Sequence, residues 1–229
     1  SYADERITRA TAQEIVGQEF ASLAVLLVSN HLLGAGQPTW RTPGIPDEMF
    51  IRGDVPMTKE LVRSVSVCKL RLAPEHIVYD IGAGTGSMAI EIALQARAGR
   101  VYAIERLSAA CQLVRQNARK FGTYNLEIIE AEAPSGLEVL PAPDRVFIGG
   151  AGGKLPSILD TVLEKSPSCR IVINAILLES VAGAMQGLKE RGCQVEIVQF
   201  TAASGRLVPA GTMMLGQNPI YVITGERSR

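Results

Sequence analysis

Asp80-Ile81-Gly82-Ala83-Gly84-Thr85-Gly86 is the stretch of sequence that decides the fold. It follows the apolar run Ile77-Val78-Tyr79, whose β-branched and aromatic residues are typical of a buried strand, and it precedes a helical pattern that begins near Ser87. Alternating glycines allow a tight turn with positive φ and leave no Cβ between the backbone and a ligand. The helix that follows presents free N–H groups and a charge of about +0.5. The sequence therefore predicts a strand, a loop and a helix that together hold a nucleotide-like ligand.

The spacing of the glycines indicates which ligand this loop holds. A dinucleotide fingerprint needs a third glycine three residues after the second, and that position is Ser87. The next apolar run ends in Glu105, where an acid can accept hydrogen bonds from both ribose hydroxyls of a nucleoside. The pattern D-x-G-x-G-x-G resembles motif I of the class I S-adenosylmethionine-dependent methyltransferases. The combination of this motif with a strand-end acid argues against a mere tight turn.

Composition and charge exclude several classes of protein. Lys and Arg together number 23, as do Asp and Glu, so the chain lacks the broad basic field of a nucleic-acid binder. No apolar segment reaches the ~20 residues of a membrane span, and the first residues lack the pattern of a secretion signal. The 4 cysteines have no C-x-x-C spacing, so neither a zinc site nor a disulfide framework is predicted. We expect a cytoplasmic protein with one domain of ordinary size and a short appendage.

From Thr58 onward, apolar and amphipathic segments alternate as in a doubly wound α/β sheet. Helices are predicted near 59–70, 87–97, 108–121, 155–165 and 177–191, and strands near 76–81, 101–105, 126–130, 144–148, 169–174, 195–200 and 219–224. The last two strands have only a long loop containing Gly and Pro between them. We therefore predict the α/β Rossmann-like fold of class I methyltransferases, with seven strands and an antiparallel last strand.

Ligands of open α/β sheets bind beyond the carboxyl ends of the strands, so the residues that follow each strand are informative. Glu132 and Ala133 follow the third strand, where methyltransferases usually bind the adenine of the donor. The fourth strand leads into Gly149-Gly150-Ala151-Gly152-Gly153-Lys154, which lacks the spacing of a nucleoside-triphosphate loop. These glycines also offer no side-chain oxygen for a hard cation. The sequence predicts a site with room for a large, flat substrate and without a metal.

Four further motifs occur in a specific order along the chain. They are I-P-D-E-M-F at 45–50, P-M-T-K at 56–59, F-I-G-G at 147–150 and N-P-I-Y at 218–221. With motif I, they resemble the precorrin methyltransferases of cobalamin biosynthesis that methylate carbon-15 and decarboxylate, over roughly residues 44–226. The resemblance implies S-adenosylmethionine as the donor, S-adenosylhomocysteine as a product, a polycarboxylate precorrin as the acceptor and a homo-oligomer, up to a tetramer. Whether the macrocycle is metal-free or contains cobalt stays open.

The resemblance and the strand-end positions together select candidate site residues. For the donor these are Thr58, Gly82, Ala83, Gly84, Thr85, Gly86, Glu105, Arg106, Glu132, Ala133 and Gly149. For the substrate they are Arg52, Lys59, Gly150, Asn174 and Arg206, the last in a loop expected over the same end of the sheet. Thr58 also fits the N-cap of the helix that follows it. A glutamate, a tyrosine or a bound water could move protons, and the sequence does not choose among them, whereas His31 and His76 are interpreted as structural.

Residues 1–29 follow a different pattern. Thr11-Ala12-Gln13-Glu14 predicts a capping box, and Leu23-Ala24-Val25-Leu26-Leu27-Val28 predicts a strand. The segment resembles the end of the tetrapyrrole methylase domain that methylates carbon-5, with residues 30–43 as a linker to the methyltransferase domain at 44–229. The resemblance implies the C-terminal part of a bifunctional protein, with the carbon-5 domain fused to it or associated with it. The alternative is an N-terminal decoration of the same domain.

Two other functions remain open from the sequence. One is an RNA or protein methyltransferase of the same fold, which the absence of a basic stripe disfavours. The other is a cofactor-binding subunit without catalytic activity, which would bind the donor without turnover.

Overall fold

The computed structural model describes residues 6–22, 24–28 and 42–227. These residues divide into two units on either side of the gap at 29–41. His31 and most of the predicted linker lie outside the described residues. None of the helices in the described part of the chain is long and apolar enough to cross a membrane.

The N-terminal unit contains one short helix, α1 (Ala12–Ile15). The predicted capping box is confirmed, because the Glu14 N–H donates to Thr11 Oγ1 at 3.4 Å and the Thr11 N–H donates to the Glu14 carboxylate at 2.7 Å. The predicted strand at 23–28 is wrong for its described part, since residues 24–28 have no regular structure and Val25 is 99% exposed. A strand needs a neighbour to pair its backbone groups, and the described residues of this unit provide none.

The second unit alternates helices and strands from Glu60 onward. Its elements are α2 (Glu60–Leu70), β1 (Ile77–Ile81), α3 (Ser87–Gln95), β2 (Arg100–Glu105), α4 (Ser108–Phe121), β3 (Leu126–Glu130), β4 (Arg145–Ile148), α5 (Leu155–Lys165), β5 (Arg170–Ala175), α6 (Leu178–Glu190), β6 (Gln194–Phe200), β7 (Ala203–Val208), β8 (Gly211–Gly216) and β9 (Ile220–Glu226). The predicted helices and strands are therefore confirmed to within a few residues at their ends.

The main sheet has seven strands in the order β3-β2-β1-β4-β5-β9-β6. Strands β1 to β5 pair in parallel, and β9 lies antiparallel between β5 and β6. The reversal of strand order at β1 and β4 opens a crevice beyond their carboxyl ends. Apolar side chains cover both faces of the sheet, with Tyr79 and Ile81 in one buried cluster and Val78 in the other. This two-sided burial explains why the central strands read as continuous apolar runs.

The predicted long loop between the last two sheet strands is corrected by the structure. Residues 203–208 and 211–216 form an antiparallel hairpin, β7–β8, with Pro209 and Ala210 in the turn. The hairpin was missed because most of its residues are small, polar or exposed and show no alternation of buried and exposed positions. The signal for the hairpin is the pair Pro209-Ala210, which separates Leu207-Val208 from a second run that contains Met213 and Leu215.

Candidate functional site

The glycine loop after β1 has the conformation that its sequence predicts. Gly82, Gly84 and Gly86 have φ values of 75°, 57° and 78°, and Gly86 is the N-cap of α3. A Cβ on Gly82 would lie 2.6 Å from the carbonyl oxygen of Gly150, so the loops after β1 and β4 are in direct contact. The loop therefore needs glycine both for its backbone angles and for this close approach.

Glu105 ends β2 and faces this loop. Its Oε2 accepts a hydrogen bond from the Gly84 N–H at 2.9 Å, and its Oε1 accepts one from the Leu107 N–H at 2.9 Å. The residue is 8% exposed and lines a cavity. A carboxylate has about four lone-pair positions, so two remain for a ligand. The arrangement can accept hydrogen bonds from a diol.

The cavity that Glu105 lines, which we call the first cavity, has a volume of about 290 Å³ and lies between the loops that follow β1, β2, β3 and β4. It is lined by Pro56, Ile81, Gly82, Gly84, Ile104, Glu105, Arg106, Ala131, Glu132, Ala133, Gly149, Gly150, Ala151, Gly152 and Ile158. Most of the predicted donor residues therefore meet here. Ala83, Thr85 and Gly86 lie in the glycine loop outside this lining, and Thr58 lines a different cavity.

Two cations hold Glu132 at the rim of the first cavity. Its carboxylate contacts Lys154 Nζ at 2.6 Å and Arg106 Nη1 at 3.2 Å, and the three side chains are 42–60% exposed. The hydrogen bond from Lys154, its charge and that of Arg106 hold the pKa of Glu132 below its usual range. Lys154 was not selected from the sequence as a site residue. The sequence shows that Lys154 lies just before α5, but it does not show that the side chain reaches Glu132 across two loops.

Asp80 lies buried under the glycine loop and was quoted in the motif without being selected as a site residue. It is fully buried, and neither carboxylate oxygen has a hydrogen-bond partner among the described residues. Burial raises the pKa of Asp80 to about 7; the nearby Ala89 N–H lowers it, and the charge of Glu105 raises it further. A buried carboxyl group without a partner is costly, and such groups are concentrated at functional sites.

The second cavity adjoins the first and is larger, at about 880 Å³. The two share Pro56 and the stretch 149–152 as lining. The second cavity is also lined by Met57, Thr58, Lys59, Val62, Ile148, Gly153, Leu155, Ile173, Asn174, Ala175, Ile176, Leu177, Ser180, Gly183, Gln217, Asn218 and Ile220. Helices α2, α5 and α6 all begin at this lining. The N-cap residues of α5 and α6 make no side-chain cap hydrogen bond, so their free N–H groups favour anions at the cavity wall, whereas the Asp47 carboxylate already accepts from the first N–H of α2.

The predicted substrate residues are not all in this lining. Lys59, Gly150 and Asn174 line the second cavity, and the Asn174 amide and Ser66 Oγ lie within hydrogen-bond distance, with contacts of 2.9 and 3.1 Å. Arg52 and Arg206 line neither cavity; Arg52 lies 3.7 Å from Asp47, and Arg206 lies in β7.

The structure also corrects the predicted N-cap. Helix α2 begins at Glu60 with Lys59 as its N-cap residue, so Thr58 precedes the cap. The Asp47 carboxylate, rather than a threonine hydroxyl, accepts a hydrogen bond from the Glu60 N–H at 3.0 Å. Among the described residues, no group of three or more His, Cys, Asp or Glu side chains is placed to hold a metal ion.

The sheet order, the glycine loop and the strand-end acid together define the class I S-adenosylmethionine-dependent methyltransferase fold. Within that class, a family model described as a precorrin methyltransferase domain matches residues 48–223. The chain belongs to this family.

Individual relatives agree with the family. A protein of Pyrobaculum calidifontis named probable cobalt-precorrin-6B C(15)-methyltransferase (decarboxylating) is 41% identical over 191 residues, which are 81% of this chain and 98% of the relative. A Salmonella typhimurium protein named cobalt-precorrin-6B C(15)-methyltransferase (decarboxylating) is 39% identical over 184 residues, 79% of this chain and 95% of the relative. A crystal structure of precorrin-6y C5,15-methyltransferase from Geobacter metallireducens has a TM-score of 0.78 at 38% identity, covering 84% of this chain and all of that chain.

Proposed function

We propose that this chain transfers a methyl group from S-adenosylmethionine to carbon-15 of a precorrin and catalyses decarboxylation of the ring C acetate side chain, in biosynthesis of the corrin ring. The observation that carries the proposal is the pair of adjoining cavities, which share Pro56 and the glycines after β4. One cavity has the glycine loop and Glu105, and the other is larger and mostly apolar. The relatives that are 39–41% identical are named for this reaction, and the match covers nearly their whole length.

The residues of the first cavity fit S-adenosylmethionine. Glu105 has free lone pairs for the two ribose hydroxyls, and Ala133 with Glu132 lies where the adenine would pack. The glycine loop, with Ala83, Thr85 and the N-terminus of α3 at Gly86, would hold the amino-acid end. The unpaired carboxyl of Asp80 below the loop suits a donor that carries a cationic ammonium and sulfonium. Arg106 and Gly149 complete the wall, and Thr58 would reach the donor from the second cavity.

The second cavity fits a large polycarboxylate. Its volume of about 880 Å³ and its apolar lining suit a flat macrocycle, whereas Lys59, Asn174 and the N-termini of α5 and α6 would meet the carboxylates at the wall. Ile176 and Leu177 are 55% and 64% exposed at its edge, where they would contact the macrocycle face. Gly150 has open space where a side chain would project, so the two cavities can communicate past it.

The chain would act mainly by alignment and exclusion of water. When bound, S-adenosylmethionine supplies an electrophilic methyl group that moves in line from sulfur to an electron-rich carbon. The shared wall at Pro56 and Gly150 would hold the two reactants against each other, and such orientation is worth up to about 7–11 kcal/mol. The apolar lining would exclude water, so the charge that disperses from sulfur is not stabilised in the ground state by solvent. The macrocycle itself can accept the electrons released as carbon dioxide leaves.

The test is to incubate the chain with S-adenosylmethionine and the carbon-5-methylated precorrin and to follow the tetrapyrrole by mass spectrometry. Gain of one methyl group with loss of one carbon dioxide is expected. Methylation alone would assign the decarboxylation to another protein. Donor binding without any change in the tetrapyrrole would refute the proposed acceptor, and tight RNA binding with a steep dependence on salt would then favour a nucleic-acid methyltransferase.

The proposal includes the surroundings of the enzyme. Residues 1–29 would be the end of a carbon-5 methylase domain that is fused to or associated with this domain, and residues 44–229 would be the methyltransferase domain in the cytoplasm. A homo-oligomer, up to a tetramer, would form through the β7–β8 hairpin. Leu207 and Met214 of that hairpin are 83% and 62% exposed, which supports a contact with a second copy.

A further inference from the structure

The segment 44–59 forms a strap across the carboxyl edge of the sheet. It contains only a short 3₁₀ helix at Asp47–Met49, yet its end lines both cavities: Pro56 lines the first, and residues 56–59 line the second. A Cβ on Gly84 would lie 2.8 Å from the Pro56 carbonyl oxygen, so the strap lies directly on the glycine loop. The position of the strap therefore sets the shape of the junction between the cavities.

One buried side chain, Arg63 of α2, holds the two ends of this strap. It is fully buried and donates hydrogen bonds to the carbonyl oxygens of Ile45 and Thr58. Its guanidinium also donates to the Asp47 carboxylate at 2.7 Å and to Glu91 Oε1 at 2.9 Å. Four of its five N–H groups are thus used, three of them on the strap itself.

Glu91 of α3 completes the network from the opposite side. It is 1% exposed and accepts hydrogen bonds from the Gly44 N–H at 2.9 Å and the Ile45 N–H at 3.1 Å. Phe50 of the strap lies against the Arg63 guanidinium, 4.7 Å from its ring centre. Asn117 of α4 fixes the same strap further along the chain. Its side-chain oxygen accepts a hydrogen bond from the Ile51 N–H, and its NH2 group donates to the carbonyl oxygens of Ile51 and of Thr85 in the glycine loop.

A buried ion network of this kind is weak evidence of a stabilising role, because well-packed apolar residues often stabilise a fold at least as much. Its distinctive property is geometry, since a planar guanidinium fixes several acceptors in set directions. We infer that Arg63 is a positioning residue for methyl transfer, which sets the strap at the junction of the two cavities through Thr58 and Ile45. This inference rests on the proposed function. A displacement of about 1 Å in aligned reactants can reduce the rate about 100-fold.

The test must separate positioning from folding. R63M alone leaves the buried Glu91 without its cation and could unfold the protein, so the informative variant is R63M/E91Q. This double variant removes both charges and keeps one amide oxygen, which can accept from either the Gly44 or the Ile45 N–H, because these donate to different carboxylate oxygens of Glu91. The matched control is R170M/E226Q. Arg170 is also buried, pairs with Glu226 at 2.7 Å and donates to the Lys69 carbonyl at 2.6 Å, at the opposite end of α2 from the strap.

Three quantities are measured on each purified protein: thermal unfolding, the Kd for S-adenosylhomocysteine, and kcat for precorrin methylation at a temperature where every variant is folded. For R63M/E91Q, kcat is expected to fall on the order of 100-fold. The Kd is expected to rise far less than kcat falls, because Pro56 and Thr58 are the strap's contribution to the donor site, whereas Glu105 and the glycine loop keep their own contacts. R63K should recover only part of the rate, because an ammonium cannot reach the same acceptors together. R170M/E226Q should keep the wild-type kcat.

Two results would overturn the inference while the wild-type protein is active. One is a kcat for R63M/E91Q within twofold of that for R170M/E226Q, and the other is a rise in the Kd for S-adenosylhomocysteine as large as the fall in kcat, which would show a damaged donor site rather than misaligned reactants. A wild-type protein that binds the donor but does not methylate the precorrin would instead refute the proposed function, and this inference with it.

Discussion

Substitution of Glu105 by alanine gives the most direct test of the donor site. The structure places this carboxylate at the end of β2, 8% exposed, with two of its lone-pair positions used by the N–H groups of Gly84 and Leu107. If the remaining positions hold the ribose hydroxyls of S-adenosylmethionine, E105A removes a charged hydrogen-bond acceptor from the site. The effect should appear in the binding of the donor and of its product alike, because both carry the same ribose.

The expected loss follows from the number and type of bonds. A hydrogen bond to a charged group contributes about 1.5–3 kcal/mol, so E105A should weaken binding by at least this amount. That corresponds to an increase in Kd of about 10- to 150-fold. The variant also removes the acceptor for two backbone N–H groups, so a modest fall in thermal stability is expected as well. E105Q keeps one acceptor oxygen without the charge and should fall between the wild type and E105A.

Isothermal titration with S-adenosylhomocysteine measures this effect. Glu130 is the matched control. It lies opposite Glu105 in the register of the neighbouring strands β2 and β3, but it is exposed and does not line the first cavity. E130A should keep the wild-type Kd. An E105A protein that is folded and binds with unchanged affinity would contradict the assignment of the ribose to this residue.

Burial raises the pKa of Asp80 from 3.8 to about 7. Between these pH values the folded protein therefore binds a proton that the unfolded chain has released. The free energy of unfolding without ligand should thus fall by about 4 kcal/mol as pH rises through this window, and D80N should not show this fall. Urea unfolding at several pH values measures it, and the same pH dependence in the wild type and D80N would refute the prediction. G150L should abolish methyl transfer measured by mass spectrometry, because its side chain starts in open space, with nothing within 4 Å of its Cβ, and fills the junction of the cavities. G82A should instead lose about 1 kcal/mol or more of stability in thermal unfolding, because its Cβ would lie 2.6 Å from Gly150 and its φ is 75°. L207S/M214S should reduce the molar mass measured by light scattering if the hairpin joins copies, whereas V139S, at another exposed apolar residue, should not.

The main sheet could be predicted because its strands are buried on both faces. Continuous apolar runs such as Ile77-Val78-Tyr79 signal this burial directly, and the glycine loop signals the turn that follows. The β7–β8 hairpin gave no such signal, because its strands are exposed on both faces and carry glycines. The run at 24–28 gave a false signal. Its apolar residues favour a strand, but they lie exposed without regular structure.

The candidate site divides in the same way. Residues directly after the strands, including Glu105 and Ala133, could be placed at one edge because parallel strands end together. The directions of the cations could not be predicted. Arg52 lies beside Asp47 rather than in the second cavity, and Lys154 reaches Glu132 across two loops. Side-chain direction depends on partners that are distant in sequence, and periodicity does not encode them.

The sequence by itself determined the α/β class, the order of the sheet elements, the glycine loop and the acid that faces it, because these depend on local pattern and on the common edge of parallel strands. Only the tertiary structure decided that two cavities adjoin at Pro56 and Gly150, that Asp80 is buried without a partner, and that Arg63 holds a strap over both. These features join groups that lie far apart along the chain, such as Ile45 and Glu91. Packing fixes the distances between such groups, and the spacing of residues along the chain does not.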